Sequence, residues 1–300
     1  MTAFGLLRTP DRRRPLTGAA RRVARLPGAV QIATGIVVVL LLAALFAPWL
    51  RPMDTVTVDL GARLTPPSWS APMGTDTVGR DLFTLVLHGL RVSLLVSAAA
   101  AVVAALLGGA IGGLAGAVGG KVDAIVMRIV DVFAAQNHFL FGLLLVVLTR
   151  PLFGSVVAVT LSVAVTHWVS TARIVRSEIL SLRSRPFVLA SINAGASRLH
   201  VARRHLLPHV VQALALTFVL LVPHAIFHES GYSFLGLGMP PTRASLGNLV
   251  ADSQRSLLLG GWWATLFPGG VLFVFCAAVG TIGAWGRDRL DPRSRSELEL

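Results

Sequence analysis

Read for groups that could do chemistry, the 300-residue chain offers polar side chains set in apolar surroundings more than any catalytic set. His224 and His228 stand four apart with Glu229 next, a spacing that puts two imidazoles on one helix face and could hold a metal ion. Paired histidines on a helix are more often packing or interfacial groups, so no metal site is assigned. The wider set of His138, His167, His209, His224 and His228 fits no motif of a clustered catalytic centre. Gln136-Asn137-His138 interrupts an apolar run, and three adjacent polar side chains cannot all face lipid cheaply, so at least one turns toward a bundle interior. With Glu229 they are candidates for lining a translocation path, the alternative being a patch of hydrogen bonds between helices. Arg128 and Asp131, three residues apart on one helix face, are expected to form a structural ion pair. A phosphate loop at Gly120-Lys121 is excluded, because it requires Gly at 115 and Ser or Thr at 122, where the chain has Ala115 and Val122. The single cysteine, Cys276, can form neither an internal disulfide nor a multi-cysteine metal site.

The elements that position these groups are long and apolar. Hydrophobic residues make up 54% of the chain and charged ones 14%, and the mean hydropathy is +0.72; this is the composition of an all-α integral membrane protein. The net charge of +13 then reads as a topology signal, not as nucleic-acid binding. Residues 1–25 are a basic tail with seven arginines, and 26–50 a first, uncleaved span. A proline-broken loop at 51–91 precedes a core at 92–286 that holds five more apolar runs. Within it, glycines at 108, 112, 116 and 120 recur every fourth residue and predict close helix packing. A tight turn is expected at 119–123, a third span over 132–149, a turn at 150–154 and a fourth span ending at Ala172. A further tail, 287–300, closes the chain.

Between the fourth and fifth runs lies a polar segment, 173–208, with seven arginines against Glu178 alone. By the positive-inside rule it is cytoplasmic. Pro186 suits a helix start, Gly195 a helix end, and Ser197 the cap of a second short helix reaching Arg204. Six spans with both termini cytoplasmic put 20 of the 27 Lys and Arg inside, so the topology is self-consistent.

Several ordered motifs carry a resemblance. Leu189-Ala190-Ser191, then Gly195, then His205-Leu206-Leu207-Pro208 resembles the EAA loop of ABC-importer permeases. Gly74-Thr75-Asp76-Thr77-Val78-Gly79-Arg80-Asp81 resembles the GTDxxGRD segment of dipeptide, oligopeptide and nickel permeases. Glu229 followed by Ser233-Phe234-Leu235-Gly236-Leu237-Gly238 and Pro240-Pro241, and the terminal Gly286-Arg287-Asp288-Arg289-Leu290-Asp291-Pro292, are similar to the same family. The chain departs from it at Leu189, where a glutamate is common, and at Gln136-Asn137-His138, where relatives carry apolar residues and a proline.

The resemblance implies the C-type permease subunit of a bacterial ABC importer in the cell membrane, carrying peptides, with nickel chelates or haem-like cargo as the alternatives. It implies a B-type sibling permease, two ATP-binding subunits that hold the ATP and Mg, and an extracytoplasmic binding protein. This chain itself would bind no cofactor and would be no enzyme. The loop around 187–204 would couple it to the ATPase, through Arg185, Phe187, Leu189, Ala190, Ser191, Gly195, Ala196, Ser197, Arg204, Leu207 and Pro208. A stand-alone secondary transporter is the rival class, but such folds commonly show internal repeats and paired interrupted helices, and neither is evident.

Overall fold

The computed structural model describes residues 27–290 apart from 54, 55, 57, 241 and 242. The basic tail 1–25, Pro241 and the end of the C-terminal tail lie outside the described residues. Nine α-helices carry most of the described chain: α1 Gly28–Leu50, α2 Leu82–Val118, α3 Gly120–Ala134, α4 His138–Arg183, α5 Pro186–Asn193, α6 Arg198–Val201, α7 Leu207–Phe234, α8 Leu246–Leu258 and α9 Trp263–Leu290. Five helical segments are long and apolar enough to cross a membrane: 28–50, 82–118, 138–183, 199–234 and 263–289.

One of these five is two helices. Gly154, with φ 76 and ψ 167, breaks α4, and the Ser162 hydroxyl donates to the Gly142 carbonyl at 2.6 Å. Twenty residues of straight helix would hold those groups about 30 Å apart. The chain therefore reverses at Gly154, and its halves, 138–153 and 155–183, pack antiparallel with Val146 against Val159 and Val163. The turn expected at 150–154 is present, drawn in to a single glycine.

The third run is organised differently from the expected 132–149 span. α3 ends at Ala134, Gln136 lies in the junction, and the Asn137 side chain accepts from the Leu140 amide, capping α4. A polar pair in the sequence here stops one helix and starts the next. The expected turn at 119–123 contracts in the same way: α2 ends at Gly119 (φ 72), and Lys121 and Asp123 already belong to α3.

α2 is the central helix, packed on α4, α7, α1 and α8. Its glycine face does what the spacing predicts. A Cβ on Gly112 would stand 2.2 Å from the Ala172 carbonyl oxygen, and one on Gly108 2.5 Å from that of Trp168. The two backbones therefore approach as only glycine permits. α1 and α9 pack together at one side, and leucines and valines such as Val39, Leu45, Leu106 and Phe273 remain exposed, as the surface of a membrane protein requires.

Candidate functional site: a coupling elbow and a histidine-walled cavity

The basic segment 173–208 folds as an elbow. Pro186 occupies the first turn of α5, where its missing N–H costs nothing. Gly195, at φ 84, ends the helix. The Gly195 amide donates to Ile192 O at 2.9 Å and the Ala196 amide to Ser191 O at 3.1 Å, the paired bonds of a Schellman cap. The Ser197 hydroxyl then accepts from the His200 amide at 3.2 Å and starts α6. Two helices joined at Gly195 are thus present as expected, with one correction: the second does not stop at Arg204. It passes through a wide turn at Ala202–Leu206, where the Leu207 amide reaches back to Ala202 O, and continues as α7. Pro208, which has no N–H to offer Arg204 O, explains the local widening.

The elbow is held rigidly and presents most of itself outward. Val188 is its buried anchor, packed with Val175, Ile179 and Leu182 of α4 and with Val201, Leu206 and Val210 beyond. The Phe187 ring sits against His205 and His209, with centroids 5.6 and 6.4 Å away. Leu189, Ile192 and Leu199 are exposed, as are Arg185, Arg203, Arg204, Leu207 and Pro208. Leu189, the expected departure from the EAA pattern, presents an apolar side chain outward.

Three of the arginines are spent inside the chain. Arg183 donates to Gly116 O at 3.0 Å, at the C-terminal end of α2 where a cation is favoured. Arg176 grips Asp123 with two nitrogens, one at 2.6 Å; its guanidinium holds the Asp123 carboxyl below the ordinary value of 3.8. Arg173 binds Asp131 at 2.7 Å. This last contact corrects the expected Arg128–Asp131 pair. Arg128 is exposed and forms no ion pair among the described residues. Spacing along α3 made it the nearest basic residue in sequence, but α4 brings a closer one from 42 positions away.

Beside the elbow opens a cavity of about 1320 Å³. Arg185, Phe187, His209 and Arg287 line one end, Thr166, Ser170, Arg173, Gln212 and Thr217 the middle, and His138, His167 and His224 the far wall. Of the four expected path residues, Gln136 and His138 lie on this wall. Asn137 is a helix cap, and Glu229 is fully buried away from the cavity. Glu229 instead accepts from the Ser93 hydroxyl at 2.8 Å and the Ser233 hydroxyl at 2.9 Å, while Ser93 also accepts the Leu246 amide at 3.1 Å. A buried carboxyl with satisfied oxygens knots α2, α7 and α8 together. His167 is the wall residue that sequence reading left in an unmotivated set.

The glycine- and aspartate-rich motif folds as a compact turn. Asp76 accepts from the Val78 and Arg80 amides and from Arg80 Nε at 2.7 Å, and the Thr75 hydroxyl donates to Ala62 O at 2.6 Å. Gly74 and Gly79 adopt positive φ, and Asp81 caps α2 through the Thr84 amide. Trp263 Nε1 donates to Thr75 O, fixing the turn to α9. On the same side, Phe234 and Leu235 end α7, Gly236 turns the chain, and Asn248 Nδ2 holds the following loop through Met239 O, Pro240 O and Arg243 O.

The chain is 38% identical over 260 residues to the dipeptide transport system permease protein DppC of Bacillus subtilis, covering 87% of this chain and 80% of that one. It is 37% identical over 261 residues to the oligopeptide transport system permease protein OppC of the same organism, covering 87% and 84%. A putative peptide transport system permease protein of Brucella abortus is 36% identical over 283 residues, 94% of each chain. Among solved structures, an amino acid ABC transporter with histidines shares the fold at TM-score 0.53 and 16% identity, covering 69% of this chain and 95% of that one. Residues 108–296, with the elbow and the cavity wall inside them, match the binding-protein-dependent transport system inner membrane component, and the chain belongs to that family of ABC-importer permeases.

Proposed function

We propose that this chain is one of two permease subunits of an ATP-driven peptide importer in a bacterial plasma membrane, and forms half of its translocation path. The peptide transport named for its relatives supports the cargo class. Counting the halves of α4 separately gives six spans, and the positive-inside rule sets both termini and the elbow in the cytoplasm. The cavity then opens toward the cytoplasm, with its histidine wall at the far end. ATP and Mg belong to a partner ATPase, which docks on the elbow; a sibling permease closes the cavity and a binding protein delivers cargo from outside.

The observation that carries the reading is the elbow itself. A coupling element must be stiff, fastened to the spans and outward-facing, and the Schellman-capped α5 meets all three conditions. A Cβ on Gly195 meets nothing within 4 Å, so Gly195→Asp leaves internal packing intact. The left-handed backbone adds about 1 kcal/mol of strain, and the new charge stands where a partner would dock. The expected result is normal membrane insertion with lost transport and reduced ATPase co-purification. Full ATPase retention and normal peptide uptake by that variant would reduce the elbow to a passive connection.

A further inference from the structure

Three imidazoles wall the far end of the cavity. His138 opens α4, His167 lies in its second half, and His224 comes from α7. Ring centroids are 5.8 Å apart for His138 and His167 and 6.2 Å for His167 and His224. Two imidazoles whose N–H groups meet on one carboxylate oxygen at about 2.8 Å have centroids roughly 6 Å apart. The spacing therefore suits an oxygen anion held between rings. His228 does not line the cavity; its centroid is 4.7 Å from that of His167, too close for such a gap, and its Nδ1 is 3.0 Å from the Tyr232 hydroxyl.

The hydrogen bonds decide what each ring can offer. His167 is only 9% exposed, and its Nδ1 lies 3.0 Å from Val163 O. A carbonyl only accepts, so Nδ1 carries a proton, and Nε2 has no hydrogen-bond partner among the described residues. In the neutral ring that nitrogen holds a lone pair. A carboxylate bound there arrives with one proton from solution, which turns Nε2 into a donor. His138 and His224 are exposed on the cavity side and form no side-chain hydrogen bond among the described residues, so each can turn an N–H toward the same anion.

The charges around the wall favour an anion as well. Arg173, Arg185 and Arg287 line the cavity against Glu178 alone. Arg173 is committed to Asp131 at 2.7 Å, while Arg185 and Arg287, exposed at the elbow end beside His209, draw anions inward. Glu178 lies eleven residues along α4 from His167, about 16 Å toward the elbow. Glu229 is engaged with Ser93 and Ser233. Among the described residues, then, no carboxylate of the chain competes for the three rings. Next to the wall, Thr166 and Thr217 give their protons to Val163 O and Ala213 O and keep lone pairs for the N–H groups of a peptide.

We propose that His138, His167 and His224 form a subsite for a carboxylate of the cargo, either the C-terminal carboxylate or an acidic side chain of a short peptide. It sets a preference within the peptide class for chains that bring a carboxylate to the wall, over chains whose carboxylates are blocked. The inference rests on reading the cavity as the path of a peptide importer.

The test uses the full permease–ATPase complex in detergent, with Cys276→Ser and Ser170→Cys in this chain, and reads how well a peptide protects Ser170→Cys from a maleimide. The probes are Ala-Ala-Ala, its C-terminal amide, and the C-terminal amide of Ala-Glu-Ala. A peptide with a free carboxylate is expected to protect at a concentration about tenfold or more below that of Ala-Ala-Ala amide, the gain of a charge-assisted hydrogen bond. An advantage of Ala-Ala-Ala assigns the subsite to the chain terminus, and an advantage of Ala-Glu-Ala amide assigns it to acidic side chains; either supports it. The double variant His138→Gln, His224→Gln changes only exposed rings and should remove most of the advantage. Independently of any variant, the advantage should grow as pH falls from about 8 to about 6, where carboxylates stay ionised and binding takes up a proton; arginines would hold a carboxylate equally well at both. A flat pH profile, an advantage that survives the double variant, or equal protection by free and blocked peptides would overturn the proposal. With equal protection the cavity remains a cargo path and only the subsite falls. If no peptide protects Ser170→Cys, the reading of the cavity as a path fails and takes the subsite with it.

Discussion

Glu229 shows how a residue's chemistry is decided by what surrounds it. Both its oxygens accept hydroxyl protons, and one of those hydroxyls, Ser93, passes the connection on to the first turn of α8. Ser93→Ala removes two buried hydrogen bonds at once and leaves a carboxyl oxygen and the Leu246 amide without partners, at a cost of about 1–3 kcal/mol for each group left unmet. Glu229→Leu is expected to be worse, since it strands the Ser93 and Ser233 hydroxyls in an apolar interior. Thermal-shift measurement on the purified chain should rank the parent above Ser93→Ala and Ser93→Ala above Glu229→Leu; equal melting temperatures would mean that the knot does not hold α8. The Arg173–Asp131 contact gives a second prediction at this scale. Both partners are about half exposed, so the coupling is small, about 0.5–1 kcal/mol. A double-mutant cycle on Arg173→Gln and Asp131→Asn should find it, and the matching cycle with Arg128→Gln should be additive.

At the scale of elements, helix contacts were legible where a period in the sequence encoded them, and hidden where two elements met from afar. The four-residue glycine period on α2 yields a sharp contrast one residue apart. Gly112→Ala drives a methyl into the Ala172 carbonyl, whereas a Cβ on Gly113 meets nothing within 4 Å. The first is expected to cost about 1–3 kcal/mol by overpacking; the second to gain about 0.5–1 kcal/mol from lower chain entropy. The opposite ranking of folded yields would mean α2 does not seat on α4 through that face. The elbow was readable for a similar reason, because Pro186, Gly195 and Ser197 are local punctuation whose effect does not depend on distant residues. The histidine wall was not, since His138 and His167 are 29 positions apart. One signal would have found it: antiparallel halves pair residues equidistant from their turn, and both histidines lie about equally far from the expected 150–154 reversal. Nothing comparable announced Arg173 as the partner of Asp131, because the contact depends on where α3 docks. The Asp123–Arg176 pair does fasten α3 to α4, and its pH dependence has a definite sign. A carboxyl held below its ordinary value lends stability above that value and withdraws it as pH falls through the folded one. The parent chain should therefore lose more stability than Asp123→Asn on acidification below about pH 4, as read by melting temperature; parallel losses would show that the pair contributes nothing.

For the whole molecule, the reversal at Gly154 decides how many times the chain crosses the bilayer and hence which way the cavity faces. If each half of α4 crosses, Trp69 and the 51–81 turn stand outside while the elbow, α6 and the cavity mouth share the cytoplasmic side. A half of sixteen residues spans about 24 Å, short of the roughly 30 Å hydrocarbon core, so residues 138–153 cross only if the bundle shields their ends. The alternative is that only 155–183 crosses, which would put the elbow opposite the side its arginines prefer. Labelling separates the two. With Cys276 replaced by Ser, single cysteines at Ser70, Ser170 and Ser184 occupy the outer turn, the cavity and the elbow, all three exposed in the fold. A membrane-impermeant maleimide is expected to reach Ser70→Cys only from outside and Ser184→Cys only from the cytoplasm. Ser170→Cys should follow Ser184→Cys, at a rate reduced by the depth of the cavity. Bound cargo or a docked sibling subunit should slow Ser170→Cys further and leave Ser184→Cys unchanged. Labelling of Ser184→Cys and Ser70→Cys from the same side would remove one crossing, turn the cavity to face outward and take the elbow away from any cytoplasmic ATPase.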